Sequence, residues 1–176
     1  MGVYDEETNF CQWYGNPNTD NIEWAKDTIQ GLLTKWGDHE ALYAIEPVNE
    51  PWWCSDIGLL KTFYRDVKKM MEEQQPRLKF VFHDAFHFGT DWNNMFSDED
   101  GWENVIMDTH QYYAWWGKNE DIGSYCDSYG GTIGGALDIK YDVWVGEWSL
   151  ATDVCALWLG GFNDANTDAA FPCQRV

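Results

Sequence analysis

Basic residues are scarce in this chain, which has 11 Lys and Arg against 30 Asp and Glu and a formal net charge of -19. A surface this acidic repels the phosphate backbone of nucleic acids and the headgroups of anionic lipids. Nucleic acids and membrane surfaces are therefore poor candidates as partners. A neutral or cationic ligand fits the charge better.

Long apolar runs are absent as well. No apolar window of about eighteen residues exists, so we predict no membrane span. The first ten residues are acidic and contain no apolar h-region, so no signal peptide is recognisable.

The sequence also lacks any C-x-x-C pair, which argues against a zinc ribbon or a thioredoxin-type redox site. Disulfides stay open as an interpretation. Because the number of cysteines is odd, at least one thiol is free or pairs outside this chain. The five cysteines are Cys11, Cys54, Cys126, Cys155 and Cys173.

Aromatic residues, by contrast, are abundant, with 12 Trp and 9 Tyr. A flat ring can cover the apolar face of a pyranose while acids and amides bind its hydroxyls, so this composition suits sugar recognition. A tryptophan-rich core explains the same composition, and composition alone favours the core for most of the tryptophans.

Helical and strand patterns alternate along the chain. Apolar residues at helical spacing predict a helix from Asn21 to Trp36, capped by one of the residues 19–21. The other predicted helices cover about 57–75, part of 123–137, and 153–159, and the predicted strands cover about 42–48, 78–86, 104–110 and 141–147. The run Phe80-Val81-Phe82 is continuously apolar, as in a strand of a parallel sheet that is covered on both faces. We therefore predict an α/β fold of parallel βα units in one domain over 1–176.

Polar residues follow the predicted strands where each one ends: Asn49-Glu50, His83-Asp84, His110-Gln111-Tyr112 and Glu147. Parallel barrels build their sites at these ends. Two glutamates facing one cleft give the geometry of retaining glycoside hydrolysis, in which the carboxyl groups are about 5 Å apart.

The neighbouring residues indicate which catalytic role each carboxyl group would have. Glu50 precedes two tryptophans, whose apolar walls would keep it protonated, whereas donors from His110 and Tyr112 would hold Glu147 as an anion. The alternative for either glutamate alone is a helix cap or a loop salt bridge. The presence of both, with a His-x-Tyr motif on the strand between, favours catalysis.

The motifs "VNEP", "DTHQYY" and "VGEWS" resemble, in the same order, the acid/base, His-x-Tyr and nucleophile motifs of glycoside hydrolase family 5. The stretches "FVFHDAFHFGTDWNNMF" and "GEWSLATDVCALWLGGFN" are similar to segments of eukaryotic exo-β-1,3-glucanases, and the resemblance extends over nearly the whole chain from Asn21. It implies an α/β fold class, as part of a (β/α)8 TIM barrel with about strands four to seven present.

The resemblance also implies roles for individual residues. Glu50 would be the proton donor and Glu147 the nucleophile of a retaining β-glucan hydrolase, specifically an exo-β-1,3-glucanase. Asn49 would bind the 2-hydroxyl of the sugar, and His110 and Tyr112 would position the nucleophile and that sugar. Further substrate contacts would come from Trp115, Asp84 and Phe86.

The same resemblance implies a fragment. A barrel of this kind has eight strands and about 250 residues, and the first three strands and the last have no counterpart among the four predicted here. We therefore expect a partial catalytic domain that folds poorly alone. Cys155 and Cys173 match positions that pair with each other in these glucanases, and disulfides imply a secreted or wall-associated protein.

Rival interpretations remain. His83, Asp84, His87 and His110 could form a metal site, but a strand that runs into a loop does not place His83 and His87 on one face. We therefore expect no metal and no other cofactor, and no obligate protein partner is evident. The other rivals are a non-catalytic or degenerate glucan binder and a β-1,4- or β-1,6-glucanase of the same family.

Overall fold

A computed structural model of the chain describes residues 11–14, 20–97, 101–113 and 121–149. The helix predicted for 153–159 lies outside these residues. No helix within the described ranges is both long enough and apolar enough to span a membrane. The elements are α1 (Asn21–Trp36), β1 (Ala44–Ile45), α2 (Ile57–Gln74), β2 (Lys79–His83), β3 (Val105–Gln111), α3 (Ile122–Ala136) and β4 (Asp142–Trp148), with a short 3-10 helix at Thr90–Trp92.

Helix α1 has the bounds that its apolar spacing predicts. Asp20 caps its first turn, because the side chain accepts a hydrogen bond from the Glu23 amide. Asp56 caps α2 in the same way through the Leu59 amide. Each helix also buries one apolar face, so the capping residue and the apolar spacing indicate the same helical segment.

The four strands form one parallel sheet in the order β1-β2-β3-β4. Ile45 pairs with Phe80, and Phe80 in turn pairs with Val105. Strands β2 and β3 are buried over almost their whole length, including both members of each alternating pair. This confirms the prediction of an α/β fold with strands covered on both faces.

The extents of two strands were predicted wrongly. β1 has only two residues, because Pro47 has no amide proton to donate to the sheet ladder. β2 ends at His83, and the backbone then turns into the left-handed region at Ala85 (φ 52°) and Phe86 (φ 59°). The segment from 123 to 137 was predicted to be only partly helical, but α3 is continuous over Ile122–Ala136.

The chain divides into two compact units. The first contains Met1–Thr109 and Ala136–Gly146, and the second contains His110–Gly135 and Glu147–Val176. Within the described residues, the first unit holds an apolar core in which α1 packs against α2, and α2 packs against β2. Its largest fully buried side chains include Trp92, Tyr64, Phe63, Phe80 and Phe82.

Tyr64 ties helix α2 to the end of strand β2. Its hydroxyl donates to the carbonyl oxygen of His83 at 3.0 Å, in a fully buried position. Burial raises the pKa of Tyr64 well above its usual value, and the nearby carboxylates of Glu46 and Asp84 raise it further. The hydroxyl therefore stays protonated as a donor, and it fixes the backbone just before the loop that follows β2.

Strand β4 differs from β2 and β3 in its exposure. It is the last strand in the order of the sheet, and Trp144, Val145 and Trp148 are exposed on it. The strand therefore presents Glu147 on an accessible end, with 44% of its side chain exposed.

Candidate active site

Glu50 lies in the loop that follows β1 and has an unusual backbone conformation. Its φ of 48° falls in the left-handed region, which is costly for a residue with a β-carbon. The residue is half-buried, and the preceding Asn49 is exposed. Such strain at a non-glycine residue is concentrated at functional positions in proteins, so it supports a functional reading of Glu50 over a simple turn.

The loop after β2 is shaped by its own polar side chains. Asp84 Oδ1 accepts a hydrogen bond from the Phe86 amide at 2.8 Å, and His83 Nδ1 accepts one from the Ala85 amide at 3.0 Å. Both side chains are buried, with Asp84 only 1% exposed. Asp84 thus holds the left-handed Phe86, and His83 holds the left-handed Ala85. A direct sugar contact from Asp84 stays a prediction.

Phe86 is an exposed aromatic residue in the loop after β2. Its ring is 5.4 Å from Trp52 in an edge-to-face arrangement, and both rings are partly exposed. Sequence reasoning noted the two tryptophans after Glu50 but not this pairing. The first unit therefore presents an aromatic pair, made by Trp52 and Phe86, on the loops that follow β1 and β2.

The loop after Glu50 is tethered at several points. A disulfide joins Cys11 to Cys54, the ring nitrogen Nε2 of His87 donates to the Trp53 carbonyl, and the Ser55 amide donates to the Trp52 carbonyl at 2.8 Å. The sequence left the partners of Cys11 and Cys54 open. Cys126 is exposed and unpaired among the described residues. These tethers restrict the loop that carries Glu50.

In the second unit, the structure brings two predicted residues, His110 and Tyr112, close to Glu147. The hydroxyl of Tyr112 donates to Glu147 Oε2 at 2.7 Å. The Nδ1 atom of His110 lies 3.7 Å from the same oxygen, and the His110 side chain is almost fully buried. The exposed carboxylate is thus held by the phenol of Tyr112, with the imidazole of His110 close to the same oxygen. A carboxylate held in this way can present an oxygen to an electrophilic carbon.

For the β-glucoside hydrolysis that the resemblance of the motifs predicts, Tyr112→Phe should lower kcat about 10- to 100-fold, because a hydrogen bond to a charged group contributes about 1.5 to 3 kcal/mol. Steady-state kinetics on an aryl β-glucoside would measure the loss. The matched control is Tyr113→Phe, since the adjacent Tyr113 hydroxyl is buried without a hydrogen-bond partner among the described residues. Equal effects of the two substitutions would contradict a specific role of Tyr112.

The predicted residues are thus distributed over the two units. The first contains Asn49, Glu50, Asp84 and Phe86, and the second contains His110, Tyr112 and Glu147. Trp115, Cys155 and Cys173 lie outside the described residues. Sequence reasoning missed the contact of Asp108 with the backbone beside Glu147, although "DTHQYY" contains this aspartate.

The chain is similar to several fungal enzymes. It is 33% identical over 159 residues to a glucan 1,3-beta-glucosidase of Blumeria graminis, covering 87% of this chain and 37% of that protein. It is 29% identical over 169 residues to a glucan 1,3-beta-glucosidase of Yarrowia lipolytica, and 29% identical over 160 residues to glucan 1,3-beta-glucosidase 2 of Wickerhamomyces anomalus. It covers 39% and 36% of these two proteins, respectively. The chain therefore spans less than two fifths of the length of each of these three relatives.

The fold comparison is consistent with part of a barrel. The crystal structure of AoRut superposes on this chain with a TM-score of 0.63 at 20% identity, covering 80% of this chain and 42% of that one. No protein-family model matches the chain. The similarity in sequence is therefore the finding that identifies the relatives, and the similarity in structure shows the shared fold.

Proposed function

We propose that this chain, which is homologous to fungal glucan 1,3-beta-glucosidases over most of its length, carries the catalytic pair of a retaining β-glucan hydrolase. The observation that carries the proposal is the hydrogen bond of 2.7 Å from the Tyr112 hydroxyl to Glu147. It joins the predicted His-x-Tyr motif to the motif that was predicted to bear the nucleophile. In this proposal the chain is part of one glycoside hydrolase catalytic domain.

Glu147 acts as the nucleophile. One carboxylate oxygen attacks the anomeric carbon and forms a glycosyl ester as the bond to the leaving oxygen breaks. Glu50 gives its proton to that oxygen. In the second step Glu50 takes a proton from water, the water oxygen attacks the anomeric carbon, and the ester bond breaks to regenerate both carboxyl groups. Two inversions give net retention of configuration.

The positions of the two glutamates at strand ends support a catalytic role for each. β1, which precedes Glu50, and β4, which contains Glu147, are strands of one sheet. Glu50 follows β1, and Glu147 lies near the end of β4, and the carboxyl ends of strands are where parallel barrels carry their catalytic residues. Asn49 would bind the 2-hydroxyl of the sugar that is cleaved.

A neutral β-1,3-glucan is the substrate that we propose. The names of the relatives indicate this linkage for those proteins, and a neutral polymer is compatible with a net charge of -19. Trp52 and Phe86 offer partly exposed rings for stacking on further sugar units. The Cys11–Cys54 disulfide supports a secreted location, because disulfides persist in oxidising compartments.

The test is the stereochemistry of hydrolysis. The complete protein is incubated with a laminari-oligosaccharide, and the anomeric proton of the first product is followed by NMR before it mutarotates. Glucose released first in the β form supports the proposal. Initial release of the α form would show an inverting enzyme, and binding of the oligosaccharide without any hydrolysis would favour a glucan-binding protein instead.

A further inference from the structure

Asp108 is a buried carboxylate to which the proposed mechanism gives no role. It lies on β3 and is only 5% exposed. Its Oδ1 atom accepts a hydrogen bond from the backbone amide of Gly146 at 2.6 Å. This carboxylate therefore holds β4 at the residue directly before Glu147.

The backbone conformation of Gly146 does not by itself require glycine, but the nearby Asp108 carboxylate does. The φ of Gly146 lies outside the left-handed region, unlike that of Gly101 (φ 66°). A β-carbon at position 146, however, would lie 2.2 Å from Asp108 Oδ2 and 2.5 Å from Oδ1. Glycine is therefore needed here for space, and Asp108 is what occupies that space.

We propose that Asp108 is a positioning residue for the nucleophile. By holding the Gly146 amide, it fixes the backbone from which the Glu147 carboxylate extends, and Tyr112 then orients the carboxylate itself. This inference rests on the proposed function of Glu147. A backbone shift of about 1 Å at such a position can cost about 100-fold in rate.

The experiment measures kcat and KM on an aryl β-glucoside for four variants of the complete protein, with melting temperatures measured alongside. Asp108→Ala should lower kcat about 10- to 100-fold with little change in KM, because the substrate contacts remain. Asp108→Asn should keep kcat within about fivefold of the wild type, because an amide oxygen can still accept the Gly146 proton. Gly146→Ala should lower kcat as strongly as Asp108→Ala.

The double variant Asp108→Ala/Gly146→Ala gives the sharpest result. If glycine is needed only because of Asp108, the added methyl group should cost nothing beyond the loss in Asp108→Ala. An additive loss would overturn the inference, and so would a wild-type kcat in a folded Gly146→Ala protein. If Asp108→Ala does not fold, Gly146→Ala and Asp108→Asn still test the positioning role of Asp108. A loss in kcat of more than about 50-fold in a folded Asp108→Asn protein would contradict the role of Asp108 as an acceptor.

Two further variants separate this inference from the proposed function. Asp142→Asn changes an exposed aspartate on β4, the strand that contains Gly146. This substitution should leave kcat within about twofold of the wild type. Glu147→Gln should be inactive. An active Glu147→Gln protein would refute the proposed function, whereas an inactive one combined with a fully active Asp108→Ala protein would refute only the positioning role.

Discussion

Glu147→Gln in the complete protein should lower kcat for hydrolysis of β-1,3-glucan at least about 1000-fold, because an amide cannot form the glycosyl ester. Glutamine has nearly the shape of glutamate, and its carbonyl oxygen can still accept the hydrogen bond from Tyr112. We therefore expect oligosaccharide binding, measured by calorimetry, to stay within about tenfold of the wild type.

Two results would contradict the assignment of Glu147. The first is substantial turnover in the Gln variant, which would place the nucleophile elsewhere. The second is an equal loss in Glu40→Gln, which removes an exposed glutamate from the first unit and should leave the rate unchanged. Melting temperatures close to the wild type in both variants would show that a loss of rate does not come from unfolding.

Glu50→Gly should separate the acid/base role from the nucleophilic one. Hydrolysis of a laminari-oligosaccharide should fall about 100- to 10,000-fold, because the leaving oxygen then departs without a proton. A dinitrophenyl β-glucoside needs no such help in the first step, so its glycosyl ester should accumulate. Added azide needs no general base to attack that ester, and it should restore turnover and yield the β-glucosyl azide.

The backbone at Glu50 adds a second readout to the same variant. Because φ is 48°, glycine relieves the strain of a side chain in the left-handed region, and the free energy of unfolding should rise by about 1 kcal/mol. Chemical denaturation would measure this change. No effect of azide in a protein of normal stability would contradict the acid/base role of Glu50.

The elements of the fold were largely predictable. The bounds of α1 follow from apolar spacing and a capping aspartate, and the buried strands β2 and β3 follow from continuous apolar runs. These signals are local, because each one depends on the period of a single element and on the residues beside it. The predictions failed where the backbone departs from a regular period, at Pro47 and at the left-handed pair Ala85 and Phe86.

The disulfide shows a different limit. Five cysteines allow many pairings, and the sequence left Cys11 and Cys54 without assigned partners. In the structure the chain brings these two together across a separation of 43 residues. Such a pairing depends on where the loop after β1 lies, and this in turn depends on the packing of the first unit. Spacing along the chain does not contain that information.

By itself, the sequence determined the α/β class and the residue types at the strand ends, including the two glutamates and the His-x-Tyr motif. The tertiary structure alone decided that the Tyr112 hydroxyl reaches Glu147, that Asp108 holds the Gly146 amide, and that Glu50 is strained. The physical reason is one of distance along the chain. Tyr112 and Glu147 are 35 residues apart, and their contact depends on how neighbouring strands align, which no local pattern of side chains specifies.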